Sequence, residues 1–280
     1  MIRFSPTRRP SWAPLLSSAL LAVSGTLLVP GPSSGATSGG GTVKVLAAGS
    51  LSTVLSDLSG AFHTATGNSL QVTLMGSTAL ASGIKAKALL GDVFLSASLA
   101  ADHSLEGPHN GGWISKYSTI GVSPVVLAYR TNSSYAPALR RSPWYSVITE
   151  PGFILGRSDP NVDPGGVLDE DALKGIGYAY NLPALVALAT NTRSLYPENA
   201  LPGLLQAGQL DGALMYAVSA RAARLPFVTL SGTKNLVAQY TIATLKGAPD
   251  PRAAASFVTW LRSSRARAIL LSQGLTLAAS

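Results

Sequence analysis

Three places in this sequence set small polar residues where a buried, strand-like run gives way to a helical pattern. In "VLAAGSLSTVL" (45–55) the apolar run stops at Gly49-Ser50 and an amphipathic pattern begins at once. In "LMGSTA" (74–79) the change falls at Gly76-Ser77, and "GRSDPNVDPGG" (156–166) follows the apolar stretch around Ile154. A helix start offers unpaired N–H donors and a partial positive charge, a serine adds an O–H donor, and glycine lets the backbone come close. Each junction therefore suits an anion. Taken singly, Ser50 or Ser77 reads first as the cap of its own helix; three such junctions on one sheet edge favour a shared ligand.

Other chemistries find less support. "SGIK" (82–85) and "SGTK" (231–234) both match the Ser-x-x-Lys spacing of acyl-transfer enzymes, but no Lys-Thr-Gly or Ser-Asp-Asn partner follows in order. Lys85 and Lys87 read as the wet face of a helix. His63, His103 and His109 have neither the i, i+4 spacing nor the acidic neighbours of a zinc site. Asp159 and Asp163 each precede a proline, which is ordinary turn chemistry, and "LDEDALK" (168–174) complements a helix dipole. Tyr178, Tyr180 and Trp260 read as core. With no base beside Ser50 or Ser77, a binding protein is expected rather than an enzyme, serine acyl transfer being the distant alternative. No cofactor is called for.

The positioning elements follow from composition and periodicity. Of 280 residues, 46% are hydrophobic and 12% charged, enough for a packed core, and the lack of cysteine excludes disulfides, thiolate sites and a lipid-anchor cysteine. Residues 1–36 read as a signal peptide: Arg3, Arg8 and Arg9, then the apolar stretch 15–29, then "SSGA". The protein is thus expected outside the cytoplasm, periplasmic or extracellular. Removing that segment takes away three of 21 basic residues and none of 13 acidic ones, leaving +5. The basic residues are scattered and "LRSSRAR" (261–267) reads as a solvated helix face, so nucleic acid is not an expected partner.

From residue 42, short apolar strands alternate with helical patterns: strands at 43–48, 70–74, 92–98 and 212–217, helices near 167–180, 199–207 and 251–263. That order predicts an α/β fold with largely parallel sheets. The expected division is two lobes, 37–120 with 229–280 and 121–228, the chain crossing between them twice.

The blocks "LAAGSLSTVLSDLSGAFHTATG", "GSTALASGIKAKALLGDVFLSAS", "GRSDPNVDPGG" and "DGALMYAVSA" together resemble the extracytoplasmic binding proteins of molybdate and tungstate ABC transporters, from Val43 almost to the C-terminus. The resemblance implies a two-lobed periplasmic-binding-protein fold, each lobe a mostly parallel sheet flanked by helices, with one oxyanion in the interlobe cleft and an ABC permease as membrane partner. It places Ser50 and Ser77 as donors from the first lobe, backbone N–H groups near Gly156 and Asp163 from the second, and Tyr216 as a phenolic donor. Gly49, Gly76 and Met215 fall just behind these. One branch of that family adds two carboxylates to an expanded site, an acid in the "DP" turn and a glutamate just before the last tyrosine. Asp163 matches the first, but Met215 stands at the second. Simple tetrahedral binding is therefore expected, with the Asp163 carboxylate turned away or capping the helix after Pro164.

A site made only of donors accepts unprotonated molybdate or tungstate and leaves a protonated phosphate with one unsatisfied donor pair, at a cost of about 1–3 kcal/mol. Sulfate, another tetrahedral oxyanion and a small organic anion stay open as alternative cargoes.

Overall fold

The computed structural model describes residues 40–233 and 236–278. The signal peptide expected at 1–36 and Lys234 of the second Ser-x-x-Lys match lie outside the described residues.

Alternation of the side chains in β1 (Thr42–Ala48) sends Val43, Val45 and Ala47 into the main core and Leu46 into a second cluster on the other face. A strand covered on both faces needs apolar residues on both, which is why this run reads as nearly continuous. The chain continues through α1 (Ser52–Thr66), β2 (Ser69–Met75), α2 (Ser77–Lys85), β3 (Val93–Ser96) and α3 (Leu99–His103) to the long strand β4 (Ser118–Tyr129). Then come α4 (Ala136–Leu139), α5 (Trp144–Val147), β5 (Leu155–Ser158), α6 (Pro164–Ala179), α7 (Pro183–Thr190) and β6 (Leu195–Tyr196). After α8 (Leu201–Gln206), β7 (Gly212–Tyr216), α9 (Ala217–Ala222) and β8 (Phe227–Thr229) follow β9 (Val237–Thr244), α10 (Pro251–Trp260), α11 (Ser264–Ser272) and β10 (Thr276–Leu277). Gly67 ends α1 at φ 73°, its N–H on the His63 carbonyl, a conformation a side chain would disfavour.

The strands run in the order β2-β1-β3-β9-β4-β7-β5-β6, with β8 and β10 also pairing β4. Pairs joined by helical crossovers are parallel: β1 with β2 and β3, and β5 with β6 and β7. The middle is antiparallel, because β4 and β9 carry the chain out to one end of the sheet and back. The α/β fold is thus built on a mixed sheet, its parallel ladders confined to the two ends. β4 serves both: Ser118–Pro124 pairs with β9 and Val125–Tyr129 with β7, the change of partner falling next to a residue that lacks an N–H.

Two further features hold the site's frame. Phe62 of α1 packs on Phe257 and Trp260 of α10, ring centroids 5.1 and 5.3 Å apart. Buried Asp92 receives the N–H of Lys44 in β1 (2.7 Å) and of Asp250 before α10 (2.6 Å), fixing both to the start of β3. Replacing that carboxylate leaves two backbone donors without acceptors. Asp92→Ala is expected to lower unfolding free energy by about 2–4 kcal/mol, read from urea denaturation.

Candidate functional site

Parallel register brings Ala48 level with Met75, so the turns at Gly49-Ser50 and Gly76-Ser77 leave the sheet side by side. Neither serine caps its helix: the cap positions of α1 and α2 are Leu51 and Gly76, and neither makes a side-chain cap bond. The Ser50 hydroxyl instead accepts from Tyr240 Oη of β9 (2.9 Å), and the Ser77 hydroxyl accepts from the Ala97 N–H (2.9 Å). Each hydroxyl proton is thereby left to donate elsewhere.

The facing residues come from the other end of the sheet. Asp159 opens a turn, its carboxylate accepting from the Asn161 N–H (2.9 Å) and its carbonyl from the Asp163 N–H (2.8 Å). Asp163 caps α6 by accepting from the Gly165 N–H (2.8 Å), as the capping alternative required. Its own N–H is spent inside the turn, so the expected backbone donation from Asp163 is corrected. Gly156 does not line the cleft: it sits in the ladder with β7, and a side chain there would strike Leu201 and Leu210. Its small size is explained by packing. Met215 is also displaced from the expected place behind the ligand. Strand alternation turns it away from Tyr216, into the cluster of Leu201, Leu205 and Leu210.

Tyr216 is buried, with its hydroxyl near Gly165 and without a hydrogen-bond partner, and its ring meets Tyr240 edge to face, centroids 6.1 Å apart. The two sides of the cleft touch at Gly76, whose Cα lies against the Val162 carbonyl, and at the Ala79 N–H, which donates to that carbonyl (3.2 Å).

Sequence reasoning missed Glu198. It lies on a 3₁₀ turn, Glu198–Ala200, preceding α8, and is 3% exposed. Oε1 accepts from the Ser219 hydroxyl (2.6 Å), while Oε2 has no partner and faces the side where Gly49 turns. An acid after Pro197 reads as a dipole-complementing helix start, and nothing in "YPENALPG" (196–203) marks it as a cleft residue. Arg157, from the block expected to bind ligand, is instead structural: its guanidinium bonds the Ala189 carbonyl and lies 3.7 Å from Glu170.

Gly49, Gly76, Asp163, Glu198 and Asn199 border a cavity of about 540 Å³ that no lysine or arginine among the described residues lines. Burial pushes Glu198 up to about 8, the Asp163 charge adding to it, and burial likewise lifts Asp163 to about 6 despite its bond from Gly165. Asp169, buried under the same helix, also rises to about 8. Burial raises both Tyr216 and Tyr240 well above their ordinary value, so both remain O–H donors at neutral pH. Asp163 and Glu198 thus give the cavity wall two carboxyl groups of raised pKa, while Ser50, Ser77, Tyr216 and Tyr240 are buried and do not themselves line it. Among the described residues no group of three or more histidine or acidic side chains could hold a metal cation, and no helix is long and apolar enough to cross a membrane.

A family model described as bacterial extracellular solute-binding protein matches residues 43–276. The molybdate/tungstate-binding protein WtpA of Pyrococcus abyssi is 24% identical over 204 residues, covering 55% of this chain and 59% of that protein. The chain spans about half the length of the curated relatives it matches. Among solved structures, the periplasmic molybdate-binding protein of Azotobacter vinelandii shares the fold with a TM-score of 0.67 at 18% identity, covering 85% of this chain and all of that one. The periplasmic binding protein AfuA of Actinobacillus pleuropneumoniae, solved with fructose-6-phosphate, gives 0.63 at 14%, covering 85% of each chain.

The raised acids make stability fall with pH. Glu198, Asp169 and Asp163 hold protons in the folded state that the unfolded chain releases near pH 4, so folding is weakened as pH rises through about 6 to 8. Asp211 shifts the opposite way, below its ordinary value, and is ionised across this window. The melting temperature of the ligand-free protein is expected to be several degrees lower at about pH 8.5 than at about pH 5.5, measured by calorimetry.

Proposed function

Because this chain belongs to the bacterial extracellular solute-binding proteins, matched over residues 43–276, we propose that it captures molybdate or tungstate in the cleft between its two sheet ends. The observation that carries this reading is a set of uncommitted donors beside the cavity-lining glycines Gly49 and Gly76 and the cap of α6: the hydroxyl protons of Ser50 and Ser77, and the Tyr216 hydroxyl near Gly165, which has no partner among the described residues. A buried donor without an acceptor costs about 1–3 kcal/mol, and an oxyanion relieves that cost. The names of the Pyrococcus and Azotobacter proteins agree with the choice of ligand.

On this reading residues 1–36 direct export, the protein is periplasmic or extracellular, and the closed form is delivered to an ABC permease. Residues 37–120 with 229–280 form one jaw and 121–228 the other, bending where β4 changes partner at Pro124-Val125. The protein is a carrier and not an enzyme. The His63 ring bonds the Asn68 carbonyl and His103 pairs with Tyr117 (2.9 Å), so neither imidazole is bonded to Ser50 or Ser77. Ser82 and Lys85 of the Ser-x-x-Lys match are exposed, and the Ser82 hydroxyl donates to the Thr78 carbonyl.

A second reading has its own observation. The cavity of about 540 Å³ exceeds what a bare tetrahedral oxyanion fills, and part-exposed Met75 and Val162 line it. A small organic phosphate, its charged end toward the turns at Gly49 and Gly76 and its carbon skeleton against these side chains, is of a size for that space. The AfuA structure, similar in fold, was solved with fructose-6-phosphate bound.

Calorimetric titration of the purified protein with molybdate, tungstate, sulfate and a three-carbon phosphate ester separates these readings. Tight binding of the first two, lost by at least a hundredfold in a Ser50→Ala, Ser77→Ala double variant, is the expected result. Preference for the phosphate ester moves the assignment to organic anions, and binding of none of the four overturns the oxyanion reading. Gly76→Val, whose side chain would strike the Val162 carbonyl, is expected to weaken binding more than tenfold while leaving the melting temperature of the ligand-free protein within a few degrees, since opening the cleft removes the clash.

A further inference from the structure

We propose that Glu198 carries one proton into the complex, so that oxyanion capture in this cleft is proton-linked and Glu198 Oε2 is a ligand donor. This rests on the anion-binding reading above and names a residue that reading does not need. The geometry points to it in three steps. Glu198 is almost fully buried, so an ionised carboxylate there pays for desolvation. Its Oε1 is occupied as an acceptor by the Ser219 hydroxyl at 2.6 Å, which leaves Oε2 as the oxygen that bears the proton. Oε2 has no partner among the described residues, and Glu198 lines the same cavity as Gly49 and Gly76. An O–H aimed at a cavity needs an acceptor, and an anion oxygen supplies one.

The surroundings favour the protonated form. Asp163 at the start of α6 and Asp169 within it add negative charge toward Glu198, while Tyr216 of β7 and Tyr240 of β9 face it as neutral phenols. Among the described residues Ser219 of α9 is the one hydrogen-bond donor acting on it, and no lysine or arginine contributes to its shift. The value of about 8 follows from that balance. An arriving anion adds further negative charge and tightens the hold on the proton. Below that value the neutral carboxyl donates to the anion. Above it, binding must draw one proton from solution, or set two negative groups side by side. No bond other than that to the proton is made or broken.

The test is a pH series of calorimetric titrations with molybdate and with sulfate between about pH 6.5 and 9.5, where neither anion changes its own protonation. Wild-type affinity is expected to be flat below about pH 8 and then to fall nearly tenfold per unit, while Glu198→Gln, which keeps a donor, binds with affinity flat throughout. At about pH 8.5 the binding heat of wild type is expected to differ between Tris and HEPES buffers in proportion to their ionisation heats, which reports proton uptake without any substitution. Affinity and heat that ignore pH and buffer overturn the Glu198 assignment and leave the oxyanion reading standing. So does a Glu198→Gln protein that titrates as wild type does. Absence of binding at every pH overturns both.

Discussion

Seven consecutive residue pairs, Thr42 with Ser69 through Ala48 with Met75, lock β1 and β2 in parallel register, and the site depends on that lock. Because both strands end at the same level, two glycine-serine turns emerge together, and the hydroxyls behind them are held by Tyr240 and the Ala97 N–H. A slip of one residue would turn Val43, Val45 and Ala47 out of the core, so the same side chains that bury the sheet also set the spacing of the donors. The facing wall is fixed in the same way, by the parallel pairing of β5 with β7.

No lysine or arginine among the described residues lines the cavity. A guanidinium or ammonium in so buried a place would need a resident partner and would hold anions of many kinds by charge alone. Hydroxyl and carboxyl protons instead impose direction, each satisfied only by an acceptor in its line. Arg157, in β5, is turned into the frame toward the Ala189 carbonyl and Glu170.

Local features of the sequence reported the first wall well. Gly49-Ser50 and Gly76-Ser77 are consequences of chain direction over a few residues, and an apolar run followed by a helical stripe is visible without tertiary knowledge. The opposite wall was less legible because its parts owe their place to distant packing. Glu198 reaches the cleft through a turn whose sequence resembles any helix start, and its partner Ser219 is 21 residues away. Met215 was assigned by resemblance to neighbouring positions, although the alternation of a strand already turns the residue before a cleft-facing Tyr216 to the other side. Asp163 illustrates a third limit, since a turn residue's N–H is free or spent according to how tightly the turn closes. The antiparallel middle of the sheet likewise depends on the path of β4 and β9 between two ends, which strand and helix periodicity does not record.

The position of β9 bears on the order in which the molecule can assemble. It lies between β3 and β4, yet its first residue, Val237, follows both by more than a hundred residues. Until that strand is synthesised, β3 lacks one neighbour and the first half of β4 lacks its partner, so the nascent chain carries open strand edges from the completion of β3 until residue 237 is made. A polypeptide whose central strand comes late cannot complete its sheet early, which keeps it threadable and makes any helper that shields those edges before residue 237 part of its folding.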